Sequence, residues 1–180
     1  TDGQHVYVFF GRTGLFKFDL KGTQVWQADA GVKVHGWGSG ASPVLWGDLV
    51  IVNASVESGT LVAFAKADGR QVWTAKDMDS AWNTPHLVSL PDGGGQELVV
   101  SVKNRILAYD PATGALLWEC AGIRDYVCPS VVSGDGVVYA IGGRKAQAIA
   151  VRAGGRGDVT ATHKLWEVDL GANVSSPVVH

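Results

Sequence analysis

Tryptophan returns along this 180-residue chain at a nearly fixed interval. Trp26, Trp73, Trp118 and Trp166 are 47, 45 and 48 residues apart, and each closes a similar phrase: GTQVW, GRQVW, GALLW, HKLW. In the first three phrases a glycine stands four residues before the tryptophan, at Gly22, Gly69 and Gly114; the fourth has Thr162 there, at the end of an inserted stretch AGGRGDVTAT. A second marker recurs out of phase. Pro43, Pro85, Pro129 and Pro177 stand in ASPVLW, NTPHLV, CPSVVS and SSPVVH, at spacings of 42, 44 and 48. Two independent markers that keep step four times define a repeat, which limits the chain to architectures assembled from copies of one small unit.

Within each unit the order of segments is the same. A short apolar strand follows the proline, then a turn such as WGD, PDGGG or SGDG, then a β-branched run: LVIVNA, ELVVSV or VVYAIG. A polar turn leads to a third strand (LVAFAKA, RILAYDP, QAIAVRA), and an Asp/Gly turn leads to the strand ending in tryptophan. This predicts four short antiparallel strands per unit with turn chemistry at each joint. Four-stranded units of ~40–50 residues are the mark of an all-β β-propeller, in which each small sheet buries its faces against its neighbours. The recurring Trp26, Trp73, Trp118 and Trp166 read as blade-to-blade packing residues. Residues 1–180 read as one propeller region with four blades' worth of strands, cut within a blade. TDGQHVYVFF matches a second strand and SSPVVH a first. An excerpt of a longer propeller, a closed four-blade ring and a two-chain eight-blade ring all fit, and self-association through the end strands is a further expectation.

Composition agrees with this reading and removes other classes. There are 24 glycines, and the acidic residues are thirteen Asp against four Glu, which favours turns over helices. A net charge of −2 gives no general attraction to nucleic acid or anionic lipid, and no apolar run approaches the ~18 residues of a membrane-crossing helix. The chain opens on Thr1 without a charged-then-apolar leader, so any export signal is expected to lie outside it.

The phrases YDPATGALLW and DLKGTQVW resemble the A-x-D-x-x-T-G-x-x-x-W signature of PQQ-like (quinoprotein dehydrogenase-like) propellers. Asp110, Thr113, Gly114 and Trp118 match it in full; Asp19, Gly22 and Trp26 match with one residue deleted; the second unit keeps Gly69 and Trp73, and the fourth only Trp166. The resemblance implies the fold over the whole chain and a periplasmic or secreted location. The family includes both periplasmic PQQ-dependent alcohol dehydrogenases and non-enzymatic outer-membrane assembly scaffolds, so the implied function is open between two. One is a binding or scaffold module; the other is part of a PQQ- and Ca²⁺-dependent alcohol or sugar dehydrogenase.

In such a fold the inter-blade loops and the second-to-third-strand loops share one face. Here those loops carry His35 and Trp37, Trp82 and Asn83, Arg124, Asp125 and Tyr126, Arg144, and Asn173. Trp37, Trp82 and Tyr126 fall outside the tryptophan register. Aromatic rings beside Arg and Asn suit a protein partner or a flat anionic small molecule. For the oxidoreductase reading, Asp125, Glu57, Asn83 and Asn173 are the candidate oxygen ligands for Ca²⁺, although no catalytic cluster and no vicinal cysteine pair is present. No zinc-type spacing surrounds Cys120 and Cys128, so no metal site is expected. The pair reads as two buried thiols or as a disulfide clipping a short loop, and its bracketing of a loop favours the disulfide. The GGRGD run at 154–158 reads as a long solvated turn, and the histidines at 5, 86, 163 and 180 are scattered.

Overall fold

The computed structural model describes residues 1–179; His180 lies outside the described residues. The first unit forms β1 (His5–Phe9), β2 (Leu15–Asp19) and β3 (Gln24–Ala28), and the second β4 (Val44–Trp46), β5 (Leu49–Ala54), β6 (Thr60–Ala65) and β7 (Gln71–Ala75). The third forms β8 (His86–Ser89), β9 (Gln96–Val102), β10 (Arg105–Tyr109) and β11 (Leu116–Ala121). The fourth forms β12 (Val132–Gly134), β13 (Val137–Gly142), β14 (Gln147–Arg152), the two-residue β15 (Gly157–Asp158), a single helical turn α1 (Thr160–His163) and β16 (Lys164–Val168). Hydrogen bonding sorts them into four sheets of consecutive antiparallel strands, and β15 adds to the edge of the third.

Period-2 alternation explains why consecutive sheets pack face to face. On β5, Val50, Val52 and Ala54 join a core with Tyr7, Leu15 and Trp26 of the first sheet, while Ile51 points the other way, into a core with Leu98 and Val100 of the third. On β9, Val99 turns to a third core with Val138 and Ile149 of the fourth sheet. Each central strand is therefore apolar on both faces, as a sheet between two others must be. In all four sheets the tryptophan-bearing strand and the strand before it slip register just before the tryptophan. The pairs are Lys17 with Trp26, Ala63 with Trp73, Ala108 with Trp118 and Ala150 with Trp166, and Val25, Val72, Leu117 and Leu165 are skipped. This bulge sets the direction of the indole.

The first two junctions between sheets use the tryptophan in one way. The Trp26 indole N–H donates to the Lys66 carbonyl at 3.0 Å and its ring lies over Gly69, where a Cβ would sit 2.9 Å from ring atoms. The Trp73 indole N–H donates to the Pro111 carbonyl at 3.1 Å, and a Cβ on Gly114 would meet Cδ2 of Trp73 at 2.6 Å. Both glycines have positive φ (74° and 70°), so the turn and the ring above it each favour a residue without a side chain.

The third junction differs, and here several expectations need correcting. The GGRGD run is solvent-exposed at Gly154, Arg156, Gly157 and Asp158, as expected, but it is more than a free turn. Its Arg156 pairs at 3.1 Å with Glu97, a buried carboxylate on β9, and Gly157 and Asp158 form β15 beside Trp118 and Glu119 of β11. Glu97 also accepts the Trp118 indole N–H at 2.7 Å and the Gly154 backbone N–H at 3.1 Å. Trp166 is 44% exposed, so within the described residues it does not pack between sheets as the other three do. Cys120 and Cys128 are free thiols rather than a disulfide. Cys120 is part of the third core, where burial pushes its thiol pKa up and keeps it a small apolar group.

Candidate binding site on the loop face

The three inter-sheet loops, residues 29–43, 76–85 and 122–131, leave the last strand of one sheet and enter the first strand of the next, and the fourth loop, residues 169–177, leaves the last strand of the fourth sheet in the same way. They therefore emerge at the same end as the second-to-third-strand loops. The structure brings most of their aromatic residues into contact. His35 lies 4.9 Å from Trp82 and 5.2 Å from Trp37, edge to face, and Trp37 is 5.1 Å from Trp82 and 4.9 Å from Tyr126, measured between ring centroids. These separations and tilts are those of favourable aromatic pairs.

Polar contacts hold the rings in place. The Trp82 indole N–H donates to the Gly38 carbonyl at 2.8 Å, and its backbone N–H to the Val127 carbonyl at 2.9 Å. Tyr126 donates its hydroxyl hydrogen to Asn173 at 2.7 Å, and the Arg144 guanidinium lies 4.6 Å from the Tyr126 ring centre. Arg144 is anchored by Asp125 at 3.0 Å. The backbone N–H groups of Arg144 and Tyr126, with the nearby guanidinium, hold the Asp125 carboxyl below the usual aspartate range. First, second, third and fourth loops thus each contribute at least one member.

Two candidates lie elsewhere. Asn83 is buried beneath the loops and donates to the Ser101 carbonyl at 2.6 Å. Arg124 turns outward to Glu167 at 3.0 Å and Asp169 at 3.7 Å. The proposed Ca²⁺ ligands do not converge either. Asp125 is held by Arg144, Asn173 by Tyr126, and Glu57 is buried against the Ser39 hydroxyl; Asn83 spends its amide N–H on Ser101, and among the described residues its side-chain oxygen is buried without a partner and without a carboxylate beside it to share a cation. Among the described residues no three His, Cys, Asp or Glu side chains gather around a metal position. The rings fill the space between one another, and they do not fit the flat tricarboxylate PQQ with its Ca²⁺. What they present is surface: Trp37 is 56% exposed, and Phe10, Val32 and Val34 are exposed on the same end.

Beneath the rings runs a contact that sequence reasoning missed. The backbone N–H of Ser42 donates to the Thr84 hydroxyl at 2.9 Å, Thr84 N–H to the Ser130 hydroxyl at 2.9 Å, and Ser130 N–H to the Ser176 hydroxyl at 3.1 Å. The entries to the second, third and fourth sheets and the segment after β16 are thus linked in series, each to the next by one hydroxyl. The signal was available: a Ser or Thr adjoins each marker proline.

Comparison with known proteins agrees with this architecture. The profile of the PQQ_2 family, described as outer membrane protein assembly factor BamB, matches residues 1–180. The crystal structure of BamB from Moraxella catarrhalis superposes with a TM-score of 0.67 at 18% sequence identity, covering 92% of this chain and 49% of that one. The chain thus spans about half the length of the solved structure it matches. No curated protein matches. Four antiparallel sheets in series, cored between neighbours, are the blades of a partial β-propeller, and the chain belongs to the PQQ-like repeat family described as outer membrane protein assembly factor BamB.

Proposed function

We propose that this chain is part of an extracytoplasmic binding or scaffold module that takes a protein partner on its loop face. The observation that carries the reading is the aromatic group itself. Trp37, Trp82 and Tyr126 come from three different loops, are not needed for packing between sheets, and leave an indole 56% exposed. Exposed aromatic and apolar side chains beside an arginine are the composition of a protein-contact centre rather than of ordinary surface. The family description supports a location outside the cytoplasm and a role in assembly. Partner preference follows from charge. Asp125 is neutralised by Arg144, whereas Arg12 and Lys33, exposed beside Phe10 and Val34, have no carboxylate within 4 Å among the described residues. An apolar segment with acidic residues is favoured.

The test places a photo-crosslinking amino acid at position 37 and, as a control, at Ala112 in a turn at the opposite end. A discrete adduct formed in cells from position 37, and lost on Arg144→Glu, supports the reading. Identical adduct patterns from the two positions, or recovery of the protein in the cytoplasmic fraction, would sink it.

A further inference from the structure

The first two sheets border an open cleft of about 430 Å³ whose lining shares no residue with the aromatic group. Its polar lining is Asp29, which follows β3; Ser58 and Thr60, around the start of β6; and Gln71, Thr74 and Lys76, on and after β7. We propose that this cleft binds a small neutral polyhydroxyl compound, a mono- or disaccharide.

Three observations lead there. The first is an unmet group: the Thr74 hydroxyl is buried and has no hydrogen-bond partner among the described residues. A buried polar atom without a partner costs free energy, and because Thr74 lines the cleft, a turn of its side chain about χ1 that brings the hydroxyl to the cleft would let a ligand hydroxyl relieve that cost. The second is a comparison along the chain. Thr74 follows its tryptophan directly, and the residues at the same place in the third and fourth units are Glu119 and Glu167. Glu119 faces Arg105 at 3.8 Å, and Glu167 is held by Arg124, Gln147 and Lys164 at 2.9–3.0 Å. Both carboxylates have a cationic partner within the chain, and the Thr74 hydroxyl has no partner among the described residues. The third is the chemistry of the lining. Ser58 donates to the Ala54 carbonyl, so the 2.7 Å contact between the Ser58 and Thr60 hydroxyls has Thr60 as donor and leaves acceptor lone pairs on Thr60. Asp29 offers a carboxylate, Lys76 an ammonium and Gln71 both an acceptor and a donor. One acid and one base cancel, and the remainder is an array of groups that both give and take hydrogen bonds. That is the complement of sugar hydroxyls rather than of a net charge. The volume falls within the ~300–1,000 Å³ of small-molecule sites.

Calorimetric titration of the chain with glucose, maltose and trehalose, each to about 20 mM, tests the proposal in the millimolar range where such exposed sites operate. We expect saturable binding of at least one sugar, weakened about tenfold or more by Thr74→Val and by Asp29→Asn and unchanged by Trp37→Ala. Without sugar, Thr74→Val keeps the side-chain volume and should melt no lower than the parent chain. Absence of saturable binding to all three sugars, or equal affinity in the parent and Thr74→Val, overturns the proposal. Neither result bears on the loop-face reading, which has its own crosslinking test.

Discussion

The junction between the second and third sheets and the junction between the third and fourth solve one packing problem in two ways. In the former, Trp73 lies flat over Gly114 and its N–H meets a backbone carbonyl. In the latter the glycine is absent from the phrase, and Trp118 instead gives its N–H to the buried Glu97. The inserted segment then supplies Gly154 and Arg156 to that carboxylate and a short parallel strand to the edge of β11. The first solution is local, cheap and repeatable, because a glycine turn leaves room for a ring. The second removes a carboxylate from water, so it holds only while all its donors are present. A buried charge also discriminates between partners: an indole and a guanidinium satisfy Glu97, whereas an apolar neighbour would not.

Four measurements break or sharpen this contrast. Trp118→Ala should have the largest effect, a loss of about 3–5 kcal/mol, because it empties a fully buried site and removes a donor from Glu97. Trp166→Ala, at the 44% exposed signature position, should cost about 1 kcal/mol or less, and urea unfolding of the two variants compares them directly. Equal losses would show that the fourth tryptophan is covered in solution. Next is Glu97→Gln, expected to cost about 2–3 kcal/mol, because an amide in place of the carboxylate gives up charge-assisted bonds and turns an N–H toward donors. A neutral result would mean that the third junction does not depend on the charge.

Gly114→Ala should cost about 2 kcal/mol, since it combines left-handed strain with a collision against Trp73, whereas Gly22→Ala, at φ 86° with open space around it, should cost only about 1 kcal/mol for the strain. Thermal melts that fail to separate the two would refute the ring-over-glycine account. The smallest effect belongs to the loop face and is set by pH. The carboxyl of Asp125 is held below its ordinary value, so its contribution is complete above about pH 4 and is lost as the pH falls from there toward the depressed folded value. Chemical shifts of the Tyr126 and Arg144 amides, followed from neutral to acid, should move only at the acid end. A transition near neutrality would refute the Asp125 anchor.

Much of the blade architecture is legible from local pattern. β-branched alternation marks the central strands, Asp/Gly pairs mark the turns, and the spacing of Trp26, Trp73 and Trp118 marks the repeat. The candidate site was legible in part. The residues His35, Trp37, Trp82 and Tyr126 stand out because the tryptophan register does not need them, yet nothing in their spacing says that they touch. Asn83 and Arg124 look the same in sequence as the residues that joined the group. Only the geometry of the loops sends one into the interior and the other to the rim.

Strand identity, turn position and the repeat period belong to the sequence by itself, since each depends on residues a few positions apart. Tertiary structure alone decided that Arg156 reaches Glu97 across 59 positions, that hydroxyls link the sheet entries in series across 42 to 46 positions, and that Thr74 keeps a buried hydroxyl without a partner. These contacts depend on the distance and rotation between neighbouring sheets, which short-range pattern does not encode. A buried polar group finds its partner, or fails to find one, only after the sheets have packed.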